Sequence, residues 1–166
     1  MTARLLVTLS LMALLTGCPD DLRAEGDIAD LDEAFFRCRV QPIVTKTCAT
    51  FVCHGNGARF FTVFARNRLR LGGDETGRNA FLRDSERAFN FESARTMVDI
   101  DRPEQSLLLL KPLDVSVGGY YHVGAHEPFG GTDVFLDPDD PEYQVLVDWV
   151  MGATEDPTCS EPGSQL

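Results

Sequence analysis

Cys48, Cys53 and His54 fall in the run Thr47-Cys48-Ala49-Thr50-Phe51-Val52-Cys53-His54-Gly55, the stretch of this chain best equipped for chemistry. A cysteine thiol can add across a haem vinyl group to make a thioether. A histidine directly after the second cysteine can then ligate the iron from the side of that tether. Such motifs usually hold two residues between the cysteines, whereas this one holds four. The longer spacer must bulge for both sulfurs to reach one porphyrin. The same residues also allow a disulfide, or a pair of buried thiols beside an unrelated histidine. Zinc is a third reading, but zinc sites pair two short-spaced Cys/His clusters, and this chain has one cluster and three histidines.

The 166 residues carry 26 acidic and 15 basic side chains, a formal net charge of -11. That length suits one domain with a moderate core. The acidic balance repels a phosphate backbone and so speaks against nucleic acid. It favours solubility and a basic partner surface met by electrostatic steering. No repeat or low-complexity tract interrupts the chain.

Arg4 followed by the apolar run Leu5 to Leu15 reads as a targeting segment, too short to span a bilayer as a helix. It ends in Leu15-Thr16-Gly17-Cys18, which resembles the bacterial lipobox. That resemblance implies cleavage before Cys18 and a lipid on its sulfur, holding the protein on a membrane. The organisation expected is a signal peptide over residues 1–17, an acylated polar tether over 18–29, a folded domain over 30–159 and a tail over 160–166. With Cys18 on lipid and Cys48 and Cys53 on haem, Cys38 and Cys159 remain, and an oxidising compartment favours a bond between them. A Cys38–Cys48 or Cys48–Cys53 bond would instead remove the haem.

The elements that would position the motif are helical. Leu31, Phe35 and Cys38, continued by Phe36, Val40, Ile43 and Val44, form an apolar stripe that predicts a helix leading into Cys48, kinked or broken near Gln41, with Pro42 starting a new turn. Gly55-Asn56-Gly57 predicts a turn after His54. Phe60, Phe61, Val63 and Phe64 form an aromatic cluster. Arg66, Arg68 and Arg70 alternate as if on one side of an extended segment, where Arg66 and Arg68 are candidate contacts for haem propionates. Helical propensity returns over 85–98, and Leu107 to Leu110 reads as a buried turn ended by Pro112. A glycine-rich loop follows over 118–131. The last helix is capped by Asp140 with Pro141 at its first position, buries Tyr143, Leu146, Val147, Trp149 and Val150, and stops at Gly152.

Taken together, Val40-Gln41-Pro42-Ile43-Val44, Cys53-His54-Gly55, Ser106-Leu107-Leu108-Leu109-Leu110-Lys111-Pro112 and Asp140-Pro141-Glu142-Tyr143 through Asp148-Trp149-Val150 resemble the c-type cytochromes, in particular atypical cytochrome-c-like lipoproteins of bacteria. The resemblance covers the chain after Cys18. It implies a mainly α, cytochrome c-like domain whose first and last helices cross, with long loops and a short strand pair between them. It also implies one covalent haem c, with Cys48 and Cys53 as thioethers and His54 as proximal iron ligand. A later loop would supply the distal ligand. His122, after Gly118-Gly119, and His126, before Gly130-Gly131, are the alternatives, with Met97 and Met151 behind them. The expected activity is single-electron transfer in a bacterial cell envelope, lipid-anchored on a periplasmic or outer-membrane face. An unidentified redox protein would be its partner, and no separate enzyme site is evident. Two other classes remain open: a haem enzyme or gas sensor with a vacant sixth position, and a haem-free, disulfide-stapled surface lipoprotein.

Overall fold

The computed structural model describes residues 28–73, 77–122 and 134–158. Its elements are helical: α1 (Glu33–Phe35), a π-helical segment (Phe36–Val40), α2 (Gln41–Thr47), α3 (Asp84–Arg95), α4 (Leu107–Leu110) and α5 (Pro141–Val150). No helix among the described residues is long and apolar enough to cross a membrane. The expected strand pair is not present among the described residues. A single parallel bridge between Leu113 and Phe135 takes its place.

The break expected near Gln41 is a change of helical register. Pro42 has no N–H to return to the preceding turn. The ladder before it widens, so that the Gln41 N–H reaches back five residues to the Phe36 carbonyl. α1, the π segment and α2 therefore run on as one rod, with Phe36, Cys38, Val40, Ile43 and Val44 buried. The rod delivers Cys48 at its C-terminal end.

α5 forms where the sequence marks it. The Asp140 carboxylate accepts from the N–H groups of Glu142 and Tyr143, and Pro141 opens the first turn. Just past the helix, Gly152 takes φ +92°, the left-handed conformation a helix stop favours. Its buried face packs on the first rod. Trp149 is fully buried between Phe36 and Phe91, at ring-centroid distances of 5.0 and 6.1 Å, and its indole N–H donates to the Asp32 carbonyl at 2.9 Å. The chain beyond α5 returns along the same rod, with Glu155 paired to Arg39 at 2.7 Å and the Pro157 carbonyl accepting from Arg37 at 2.8 Å. Cys38 is buried in this clasp and disulfide-bonded. The partner expected for it, Cys159, lies outside the described residues.

α3 ends earlier than its propensity suggested, at Arg95, and Met97 and Val98 follow in a turn against the core. Asn90 on α3 is almost fully buried and exchanges two 2.8 Å hydrogen bonds with the N–H and carbonyl of Phe64. A side-chain amide there does for a lone extended segment what a neighbouring strand would do. Arg70 does not share a solvent-facing side with Arg66 and Arg68. It is buried and forms a two-pronged ion pair with Glu86 of α3, through Nε at 2.9 Å and a terminal nitrogen at 2.7 Å.

Candidate functional site

The four-residue spacer is a closed loop. Cys48 caps α2, with its N–H on the Val44 carbonyl at 3.0 Å. The chain then turns so that the His54 N–H donates to the Cys48 carbonyl at 3.0 Å and the N–H groups of Cys53 and Gly55 to the Thr50 carbonyl at 3.0 and 2.8 Å. The Asn56 amide adds a clamp on the Phe51 carbonyl at 2.6 Å. This wiring points Ala49 into the core and leaves Phe51 78% and Val52 57% exposed. The extra length is thus taken up at the surface, and both cysteines still reach the same wall. Cys48 and Cys53 are free thiols.

That wall belongs to an apolar cavity of about 270 Å³, close to the lower end of the range for small-molecule and cofactor sites. Val44, Phe61, Met97, Leu108, Pro112 and Leu146 supply its carbon lining. Its polar groups are Thr47, Cys48, Cys53, His54 and His122, with Arg59 and Lys111 as cations, and among the described residues no carboxylate lines it.

The His54 ring is fixed by one bond. Its Nδ1 lies 2.7 Å from the Phe61 carbonyl, which can only accept, so Nδ1 carries the proton and Nε2 keeps a lone pair. Burial lowers the imidazole pKa below its usual value. The Phe61 carbonyl works against that shift, and the Arg59 charge adds to it. At neutral pH the ring is a neutral imidazole oriented by a backbone acceptor, which is how a metal-ligating histidine is commonly held. Burial also pushes the Cys48 thiol up to about 11, against the lowering pull of Thr47, so it stays protonated through the neutral range.

His122 lies on the segment that follows α4. α4 and the loop after it are tied together by Tyr120 N–H to the Leu110 carbonyl at 2.6 Å and by the Lys111 ammonium to the Tyr121 carbonyl at 2.9 Å. Gly118 adopts φ +103°, and a Cβ at Gly119 would lie 1.8 Å from the Leu113 carbonyl oxygen. The paired glycines are therefore required by the path that brings His122 to the cavity. The His54 and His122 rings stand 5.9 Å apart between centroids, with planes 20° from parallel. Gly119→Ala is expected to displace this loop and cost about 1–3 kcal/mol. Chemical denaturation measures the cost, and loss of close magnetisation transfer between the two imidazoles measures the displacement.

Of the other candidates, His126, Cys18 and Cys159 lie outside the described residues. Met97 is on the cavity wall, whereas Met151 is 60% exposed beside α5. Arg66 and Arg68 are not among the lining residues. Arg66 donates to the Asn79 carbonyl at 2.7 Å and covers the Phe81 ring, and Arg68 donates to the carbonyls of Thr45 and Lys46 at the end of α2. Arg59 and Lys111 are the cations among the lining residues. Lys111 falls inside the Ser106 to Pro112 stretch, but neither it nor Arg59 carries a spacing signal. The Phe61 carbonyl is backbone and has no residue-type signature at all.

No protein-family model, curated protein or solved structure matches this chain. Its site is therefore read from geometry. Among the described residues no group of three or more His, Cys, Asp or Glu side chains is arranged to hold a metal ion.

Proposed function

We propose that this protein is a monohaem c-type cytochrome that transfers single electrons. The observation that carries the reading is the convergence of Cys48, Cys53, His54 and His122 on one apolar cavity. In this reading Cys48 and Cys53 hold haem c by thioethers, and His54, oriented by the Phe61 carbonyl, ligates iron through Nε2. His122 would be the second iron ligand. A bound haem supplies an iron that cycles between two oxidation states one electron apart. The chain's own contribution is to exclude water with the carbon wall, to fix both imidazoles, and through burial and ligand choice to set the potential.

The rest of the expected architecture belongs to the same proposal. The domain is cytochrome c-like, with the first rod and α5 as its crossing helices and a Cys38–Cys159 bond behind them. Cys18 carries the lipid that anchors it in a bacterial envelope. The proximity of the two rings favours two histidine ligands over a vacant sixth position, the arrangement a gas sensor or haem enzyme needs. The free Cys48 and Cys53 thiols favour haem attachment over a haem-free, disulfide-stapled lipoprotein.

The test is full-length protein expressed with a c-type maturation system, denatured and stained for haem on a gel. A band that keeps its stain after denaturation, and loses it or weakens in Cys53→Ala, is the expected result. Colourless protein with Cys48 and Cys53 bonded to each other would remove the proposal. Titration of the reduced protein with carbon monoxide then separates the ligand sets. Two bound histidines predict little spectral change within seconds, and a vacant position predicts a fast one.

A further inference from the structure

The two extra residues of the spacer are held outward, and they have apolar neighbours. Phe51 and Val52 are 78% and 57% exposed, and Phe60, on the cavity rim, is 89% exposed. Hydrogen bonds lock these two stretches side by side: Asn56 holds the Phe51 carbonyl and Arg59 the Val52 carbonyl. Apolar side chains grouped at the mouth of a site mark a contact surface.

The charge around them is segregated. Residues 34–73 contain seven arginines and lysines and no Asp or Glu, so all 26 carboxylates of this acidic protein lie elsewhere. Three of the seven cations are paired to distant carboxylates, Arg39 with Glu155, Lys46 with Glu142 and Arg70 with Glu86. Arg59 and Arg68 bond only main-chain carbonyls among the described residues, and their charges stand uncancelled beside Cys48 and the cavity. Lys111 adds a third such cation on the far rim.

We infer that the long spacer is a docking element, and that the surface it builds receives a partner protein whose apolar centre is ringed by carboxylates. The net charge of -11 points to a basic partner; the site loop itself selects an acidic one. The cations orient the encounter, and Phe51, Val52 and Phe60 supply the dry contact that brings a redox centre close to the cavity. The inference rests on the haem reading for its electron-transfer consequence, but not for the surface itself.

Two measurements separate the surface from the haem. Retention of the full chain on a heparin column at 20 mM salt tests the cationic patch whether or not haem is attached. Retention, weakened in Arg59→Gln/Arg68→Gln, is expected, and flow-through of the wild type would overturn the inference. On haem-loaded protein, stopped-flow oxidation or reduction is measured against a small acidic flavodoxin-type protein and, separately, against hexacyanoferrate. With the acidic protein the rate is expected to fall about tenfold or more as salt rises. Phe51→Ser/Val52→Ser is expected to slow that reaction about fivefold or more and leave the hexacyanoferrate rate unchanged. A rate that rises with salt, or an unchanged rate in the double variant, overturns the inference. So does a wild-type dimer at micromolar concentration that Phe51→Ser/Val52→Ser dissociates, because the patch is then a self-interface.

Discussion

Glu86→Gln is expected to lower the unfolding free energy by about 3–5 kcal/mol, the range for breaking one side of a buried ion pair. The Glu86 side chain is fully buried and the Arg70 residue 4% exposed. The carboxylate accepts two bonds from Arg70 and one each from the N–H groups of Leu71 and Arg83, at 2.9 and 2.8 Å. Arg70 in turn donates to the carbonyls of Gly77, Arg78, Ala80 and Phe81, so one side chain organises the loop before α3. The amide removes the charge and leaves a guanidinium buried without its counterion. Burial by itself raises the Glu86 pKa, but the Arg70 bonds and the two backbone donors outweigh it and bring the carboxyl to about 2, from 4.5. Because the folded pKa is depressed, the contribution is fully present above about pH 4.5 and is lost as pH falls towards 2. Urea melts at pH 6 and pH 3 check the sign: wild type loses stability on acidification, and Glu86→Gln loses less. Replacing both partners by apolar residues, Arg70→Met/Glu86→Leu, is expected to recover much of the stability at pH 6. A Glu86→Gln variant within about 1 kcal/mol of wild type would show that the pair does not hold the loop.

Gly55→Ala is expected to abolish haem incorporation while the core stays folded. A Cβ at residue 55 would stand 2.1 Å from the Ala49 carbonyl oxygen, 2.8 Å from its carbon and 2.9 Å from the Thr50 carbonyl carbon. All three obstacles are backbone, so no side chain can swing away. Relief requires opening the loop closed by His54 N–H to Cys48 and Gly55 N–H to Thr50. That opening parts Cys53 and His54 from Cys48, the three groups that must meet one porphyrin. Gly57→Ala is the control, since a Cβ there meets nothing within 4 Å and the backbone has no positive φ. The single tryptophan reports the core. Its fluorescence should stay native in both variants, while covalent haem falls about tenfold or more in Gly55→Ala alone, as read by stained gel and absorbance. Normal haem content in Gly55→Ala would mean that attachment does not need the closed loop.

Local signals fixed the helices that bear on the site. Asp140, Pro141 and Gly152 bound α5 because caps, proline and a left-handed glycine act within one turn of chain. Pro42 marked the irregularity before α2 because a missing N–H is a property of one residue. Ser106 to Pro112 forms a short helix at Leu107–Leu110, but only Leu108 and Leu109 of its leucines are buried and Leu107 is 45% exposed. The sequence also singled out Cys48, Cys53 and His54, since adjacency and residue type need no tertiary information, whereas His122 and His126 entered only as alternatives implied by the resemblance.

What the tertiary structure alone decided is which of these share a cavity. His122 meets His54 because α4 anchors its loop and two glycines permit the path, contacts that span some 70 residues of sequence. Arg66, Arg68 and Arg70 look alike as a row, yet Arg70 is drawn into the core by Glu86 while Arg59 and Lys111 take the cavity wall. Alternation along a short segment says which side a residue starts on, not which distant carboxylate or carbonyl will claim it. Among the described residues a single bridge between Leu113 and Phe135 stands in place of the expected strand pair, and at Phe64 the Asn90 side chain takes up the backbone groups that a strand would. A backbone acceptor such as the Phe61 carbonyl is common to every residue type, so its role in orienting His54 could be seen only once the chain had folded.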